Sequence, residues 1–119
     1  MKGRIVHRKE TSRIPFPHPG EAIRKDYLKP LGMSVNKLAI DLRVPATRMT
    51  EIVNGRRSIT ADTALRLARY FETTAKFWLN LQTSYDLAKA SESSLREIER
   101  SVQPREAFAF IRVHSRPKQ

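Results

Sequence analysis

Residues 34–57, SVNKLAIDLRVPATRMTEIVNGRR, decide the fold because their pattern indicates two short helices around a tight turn, followed by a basic loop. Ser34 suits the start of the first helix, since its hydroxyl can accept a backbone N–H. Pro45 turns the chain and suits the opening of the second helix, which Gly55 ends as a left-handed cap. Apolar residues recur at helical spacing in both helices: Val35, Leu38, Ala39 and Leu42, then Met49, Ile52 and Val53. This is the pattern of a helix-turn-helix unit that reads DNA.

The charge of the chain favours a polyanionic partner. The 119 residues carry a net charge of +11, and Lys and Arg gain affinity by displacing counterions from phosphates. Membrane headgroups are also anionic, but no apolar run approaches the roughly 20 residues of a spanning helix. The opening MKGRIVHRKETSR lacks the apolar segment of a secretion signal, so we expect a cytoplasmic protein.

The chemistry-bearing residue types argue against an enzyme. The chain has no cysteine, which excludes disulfides and thiolate catalysis, and His7, His18 and His114 lack ligand spacing. No nucleophile elbow, phosphate loop or acid pair is found. We therefore expect no enzymatic activity, no cofactor and no metal.

The basic excess is densest at the two ends of the chain. Residues 1–19, 20–102 and 103–119 carry +4, +4 and +3, and prolines in both end segments favour irregular chain. The predicted organisation is a basic N-terminal arm at 1–17, a DNA-binding domain at 18–90 and a C-terminal extension at 91–119.

The fold class predicted between the arms is an all-α bundle of five helices. The first helix is expected at 20–28, with Pro30 and Gly32 ending it, and the second and third are the pair described above. The fourth, 61–71, has a Thr60 cap, and its predicted inner face is Ala64, Leu65, Ala68 and Phe71. The fifth is expected from Thr74 to Lys89. A short sixth helix at 94–102 and a strand at 107–113, AFAFIRV, are further expectations.

Three motifs carry a resemblance to a known family. Residues 18–90 resemble the HigA antitoxins, a branch of the helix-turn-helix family that includes the phage repressors. The specific pieces are HPGE at 18–21, NGRR at 54–57 followed by ITADTALRLAR, and FWLNLQ at 77–82. The resemblance implies a dimer that binds its own operator, represses its operon and neutralises a co-encoded HigB toxin, a ribosome-dependent ribonuclease.

The chain departs from that family pattern in two respects. Val35 stands where repressor-like relatives usually carry a Gln that braces a phosphate, so that contact is expected to be missing. Antitoxins of basic toxins are often acidic, whereas this chain is basic, so a HigB partner is expected to bind mainly through apolar surface.

The outward residues early in the third helix are the candidates for base reading, because a recognition helix enters the major groove with that half facing base edges. Arg48 suits a guanine, and Thr47 and Thr50 suit either partner or a thymine methyl. Ala46 can only pack, and Glu51 can accept from cytosine or orient Arg48. Thr47 and Arg48 are the foremost candidates.

Candidates for phosphate contact follow the third helix. Asn54, Arg56 and Arg57 match residues that clamp the sugar-phosphate strand in phage repressors, and they set register rather than sequence. Asn36 and Lys37, early in the second helix, are lesser candidates. The alternative for the two arginines is an ordinary charged loop.

Other residues also have a plainer interpretation beside the functional one. Arg48 and Glu51 are three apart and suit a solvated surface ion pair. Trp78 suits the core or a dimer contact better than a stacking platform for a base, and His18 suits the start of the first helix better than catalysis. The arm at 1–17 suits a solvated leader better than a minor-groove arm.

A homodimer on a palindromic operator is expected, because two such units on a dyad place their helices roughly 34 Å apart. The expected joining surface is the fifth helix together with the chain beyond it, and pairing of the 103–119 arms is the lesser option. The alternative functions are a regulator without a toxin and RNA binding through Phe108 and Phe110. The residues assigned to the dimer contact or the core are Phe77, Trp78, Leu81 and Tyr85.

Overall fold

A computed structural model describes residues 16–106, which form five helices and no strand. The all-α prediction is thereby confirmed. The predicted strand at 107–113, the aromatic residues within it and most of the N-terminal arm lie outside the described residues. The helices are α1 at residues 19–31, α2 at Val35–Leu42, α3 at Ala46–Val53, α4 at Ala61–Phe71 and α5 at Ala75–Ser101.

The first helix extends beyond its predicted end. It consists of a turn at Pro19–Ala22, a π-helical stretch at Ile23–Leu28 and a last turn at Lys29–Leu31. The prediction that Pro30 and Gly32 together end the helix, after residue 28, was wrong for Pro30 and right for Gly32. The N–H of Lys29 already bonds five residues back, to Arg24, so the wider turn accommodates a residue without an N–H. Gly32, at φ 62°, then ends α1 in the left-handed conformation.

The helix-turn-helix pair forms as its sequence indicates. The Ser34 hydroxyl accepts the N–H of Lys37 at 3.0 Å, which satisfies a free donor at the start of α2. Arg43 ends α2 at φ 62°, and Pro45 is extended immediately before α3. Gly55 follows α3 at φ 77°. These conformations turn α3 back across α2.

The fourth helix begins at Thr60 and spans 61–71 as predicted, but one residue of its inner face was misplaced. Leu65 is 62% exposed, whereas Leu67 is fully buried. Positions three and four apart share a helix face, so Leu67 and Ala68 follow the buried Ala64, and Leu65 lies about 100° away from that residue.

The fifth helix begins after Thr74 as predicted, but it continues to Ser101. The predicted end at Lys89 and the separate sixth helix at 94–102 were wrong. The intervening residues 90–93, ASES, include neither proline nor glycine, and Ser93 bonds back to the carbonyls of Lys89 and Ala90. Because no proline or glycine interrupts these residues, α5 continues past the part that packs on the rest of the domain.

Trp78 lies at the centre of the core. Its side chain is 0% exposed, and its indole N–H donates to the hydroxyl of Thr73 at 2.7 Å. The stacking-platform alternative for Trp78 is therefore wrong. Side chains from all five helices and the loop before α4 surround it in one cluster, which includes Ile23, Leu38, Met49, Ile52, Ile59 and Leu67. Within residues 16–106, no helix is both long and apolar enough to cross a membrane.

Candidate nucleic-acid interface

Helix α3 has one buried face and one exposed face. Ala46, Thr47 and Thr50 are exposed at its start, so three of the candidate base-reading residues are open to a ligand. The opposite face is anchored in the core through Met49, Ile52 and Val53, all of which are buried.

Arg48 and Glu51 form ion pairs, but with partners outside α3. The guanidinium of Arg48 lies 3.1 Å from the carboxylate of Asp62 and 3.5 Å from the hydroxyl of Thr63. Glu51 lies 2.9 Å from Arg57. Asp62 lies in the first turn of α4 and Arg57 lies in the segment between α3 and α4, so α3 is tied to both by ion pairs.

Asp62 connects three helices. Its carboxylate accepts from Arg66 at 2.9 Å as well as from Arg48, and these two bonds, Arg66 first, hold its pKa below the ordinary value. Arg66 in turn donates to the carbonyl of Leu42 at 2.9 Å, which satisfies a free acceptor at the end of α2. The sequence analysis missed this bridge. Asp62 and Arg66 are four residues apart on one helix, whereas Arg48 is 14 residues away, so no local pattern joins all three.

The candidate phosphate residues Asn54, Arg56 and Arg57 are exposed in the segment between α3 and α4. The far side of this segment is held by Gln82, whose side-chain oxygen accepts the N–H of Ile59 at 2.8 Å. The amide nitrogen of Gln82 donates to Asp86 at 3.0 Å, so this buried side chain is fully oriented.

The near side of the same segment packs against His18. A Cβ built on Gly55 would lie 3.8 Å from the imidazole, and the Arg57 backbone is a hydrogen-bond partner of the ring. On its other side the ring meets Tyr85 edge-on, with centroids 5.0 Å apart. His18 of HPGE, Gly55, Arg56 and Arg57 of NGRR and Gln82 of FWLNLQ also line one cavity, so residues from three separate motifs come together in space.

His18 also begins α1, as expected from its position before Pro19. Its Nδ1 accepts the N–H of Gly20 at 2.9 Å. Burial lowers the pKa of His18 from its ordinary value, against the opposing effects of the Arg57 backbone and of Asp86. The accepting Nδ1 and the lowered pKa both favour a neutral imidazole.

The start of α1 lies directly against the end of α3. A Cβ at Gly20 would stand 1.9 Å from the carbonyl oxygen of Ile52, so only glycine fits this contact. Arg24 donates to the carbonyl of Val53 at 3.3 Å. Helix α1 therefore fixes α3 by backbone contact as well as by side-chain packing.

The lesser phosphate candidates lie at the start of α2. Asn36 and Lys37 are both exposed, and Lys37 pairs with Asp41 at 3.1 Å. Asp41 also accepts from the hydroxyl of Tyr70 at 2.5 Å. This bond is the main cause that lowers the pKa of Asp41, and it raises the pKa of Tyr70.

The fold and the sequence are similar to those of known proteins. No family model matches the chain. A HigA-family addiction module antidote protein from Coxiella burnetii is 50% identical in sequence and superposes with a TM-score of 0.71, over 75% of this chain and 97% of the other. This chain belongs to the HigA family.

Two further relatives extend the comparison for this HigA-family chain. The Pseudomonas aeruginosa antitoxin HigA, solved with the higBA promoter, is 43% identical with a TM-score of 0.72, over 74% of this chain and 96% of the other. Virulence-associated protein I of Dichelobacter nodosus is 53% identical over 81 residues, which are 68% of this chain and 75% of the other.

Proposed function

We propose that this HigA-family chain is the antitoxin of a HigBA-type module, a cytoplasmic protein without enzymatic activity that binds palindromic operator DNA as a homodimer and represses its own operon. The observation that carries the proposal is the two-faced α3, whose polar side is exposed while its apolar side is buried. The similarity to a HigA solved with promoter DNA supports it.

Base reading is assigned to the exposed side of α3. Thr47 and Thr50 face outward with Ala46, and their hydroxyl and methyl groups suit base edges and thymine methyls. Glu51 reaches the same surface while it is paired with Arg57. The Arg48 side chain is 29% exposed and its Nη1 is paired with Asp62, so a bidentate contact with a guanine uses its other nitrogens or replaces that carboxylate.

Phosphate contact is assigned to the segment after α3 and to the start of α2. Asn54, Arg56 and Arg57 are exposed beside the reading helix, and their backbone is held by the rest of the domain. Asn36 and Lys37 supply a second contact from α2. Such contacts set the register of the helix on the duplex and are independent of base sequence.

The surface that joins two subunits is assigned to the outer half of α5. Trp78 is buried and Leu81 and Tyr85 are half-buried within the subunit, so of the four residues assigned to the dimer contact or the core only Phe77, at 40%, offers much surface. Beyond them, α5 and the residue that follows it expose apolar side chains with no covering element in residues 16–106: Leu87, Leu95, Ile98 and Val102. A row of this kind on a soluble helix is typical of an interface.

A HigB-type toxin is the proposed second partner. The family relationship supports this part of the function, because HigA antitoxins are encoded beside such toxins. A stand-alone regulator with the same DNA chemistry is the alternative.

The test uses the full chain, the DNA upstream of its own gene and the product of the adjacent gene. We expect protection of a two-fold symmetric site in that DNA, and copurification with the adjacent product when both are expressed together. Equal affinity for the upstream DNA and for a shuffled duplex contradicts the DNA function. Specific binding without any copurifying toxin supports the stand-alone regulator.

A further inference from the structure

His18 is placed between the start of α1, the segment that carries the phosphate residues and the first half of α5. Its Nδ1 accepts from Gly20, its ring packs beside Gly55, and the Arg57 backbone is its partner on another side. The edge of the Tyr85 ring closes the α5 side. One imidazole therefore joins three elements that are distant in sequence.

The protonation state of the ring follows from these contacts. Because Nδ1 is an acceptor, the neutral imidazole carries its hydrogen on Nε2. A bond with the Arg57 backbone raises the pKa of the ring, as a carbonyl does when it accepts a ring N–H. Arg57 lines the same cavity as the ring, and Nε2 is the nitrogen left to donate to its backbone, so one neutral tautomer suits both neighbours.

Protonation would break this arrangement. A second ring proton on Nδ1 faces the N–H of Gly20, so the cap of α1 is lost, and a positive charge arises at the positive end of a helix. The charged groups that line the same cavity as the ring are Arg56 and Arg57 in the segment after α3 and Asp86 and Lys89 on α5. On α1 itself, Glu21 is paired with Lys25. Of the two charged groups on α5, Asp86 favours the charged imidazole and Lys89 opposes it. The Asp86 carboxylate also accepts a hydrogen bond from Gln82.

We infer that His18 is a positioning residue for DNA binding: its neutral imidazole fixes the backbone at Gly55 and Arg57 and so presents Arg56 and Arg57 to the phosphates. This inference rests on the proposed DNA function and adds to it a dependence on pH. Burial lowers the pKa of His18 below 6.5, so the positioned state is complete above that pH and is lost as the pH falls through the lowered pKa.

His18→Asn separates positioning from helix capping. Asparagine is a good N-cap and keeps the bond to Gly20, but its side chain is too short to hold Arg57 as well. We compare the wild-type chain with this variant on a duplex taken from upstream of the gene and on a shuffled duplex. Unfolding midpoints of the two proteins verify that the fold is retained.

At about pH 8 we expect the variant to bind both duplexes roughly fivefold more weakly than the wild-type chain, the equivalent of one hydrogen bond. As the pH falls through the lowered pKa of His18, we expect the two proteins to converge to within about twofold, because the wild-type ring then becomes protonated. Equal affinities of the two proteins at every pH overturn the inference. A wild-type chain that does not prefer the upstream duplex overturns the proposed function instead.

A second measurement does not depend on how the variant folds. The ¹⁵N shifts of the wild-type imidazole are expected to show an unprotonated Nδ1 and a protonated Nε2 at about pH 8. Their titration is expected to occur below 6.5. The opposite tautomer, or a titration above that value, overturns the inference.

Discussion

The guanidinium of Arg48 lies 3.1 Å from the carboxylate of Asp62, so a side chain of α3 is held by the first turn of α4. The pair is partly exposed, and Asp62 has a second cation in Arg66. Because Arg66 remains, Asp62 does not lose its charge partner when Arg48 moves. The arrangement allows Arg48 to exchange Asp62 for a base.

If Arg48 reads a guanine, Arg48→Ala is expected to cost roughly 1 to 3 kcal/mol of binding free energy and to relax the preference at one base pair. Binding measured across a set of operator duplexes with single substitutions checks this. Equal losses on all duplexes contradict the assignment.

Asp62→Asn is the companion variant. A base-reading Arg48 is freed by this change, so operator affinity is expected to stay the same or to rise. If Arg48 only braces α3 against α4, both variants lose affinity to a similar extent. The pair of titrations therefore distinguishes a reading residue from a bracing one.

Arg57→Ala is expected to weaken binding to every duplex alike and to reduce the slope of affinity against salt by about one unit. The reason is that one phosphate contact releases about one counterion. Arg69→Ala is the matched control, since it removes the same charge from the exposed surface of α4. An unchanged slope for the Arg57 variant, or an equal change in both, removes Arg57 from the phosphate contacts.

Most of the fold could be predicted from local signals. Ser34, Thr60 and Thr74 cap the helices that they were expected to begin, because side-chain capping depends on residues within one turn. The continuity of α5 through residues 90–93 could not be predicted in the same way, because alanine, serine and glutamate are compatible both with a helix interior and with a break between two helices. Pro30 failed as a stop signal because the π-helical turn that accommodates it could not be predicted from the local residues.

The candidate site was predicted only in part. The exposed positions of α3 follow from helical periodicity, which needs no tertiary information. Three side chains hold α3 and the segment after it. Asp62 contacts Arg48, Gln82 contacts Ile59 and His18 lies beside Arg57, and even the nearest of these pairs is 14 residues apart in sequence. Such contacts depend on how helices pack and have no local pattern.

Gly20→Ala is expected to reduce the free energy of unfolding by more than about 3 kcal/mol, because the new methyl would collide with the carbonyl of Ile52 and displace backbone. Gly32→Ala is the control. It has open space around it but a φ of 62°, so a cost of only about 1 kcal/mol is expected from the backbone. Urea unfolding measures both, and similar costs for the two variants would show that the contact between α1 and α3 is not tight.

Ile98→Glu is expected to convert a dimer to a monomer, because it places a charge in the apolar row on the outer half of α5. Sedimentation equilibrium measures the change. Leu65→Glu makes the same substitution at an exposed position on α4 and is expected to leave the dimer intact. If the Ile98→Glu variant remains a dimer, the interface between the subunits is not the apolar row on α5.

Tyr70→Phe is expected to make the fold more sensitive to acid. The hydroxyl of Tyr70 is the main cause of the lowered pKa of Asp41, so the charged carboxylate stabilises the fold above pH 3.8 and loses that effect as the pH falls through the lowered value. Without the hydroxyl, acid unfolding followed by circular dichroism is expected at higher pH. An unchanged midpoint indicates that Lys37 alone supports Asp41.

The contact between Gly20 and Ile52 has a consequence for protein engineering. The backbone contact with α1 and the buried face of α3 set the orientation of this helix. The exposed side chains of Ala46, Thr47 and Thr50 therefore contribute little to the fold. Libraries randomised at these three positions should keep their shape while their preferred operators diverge. Such a scaffold suits the construction of mutually independent repressors for synthetic gene circuits.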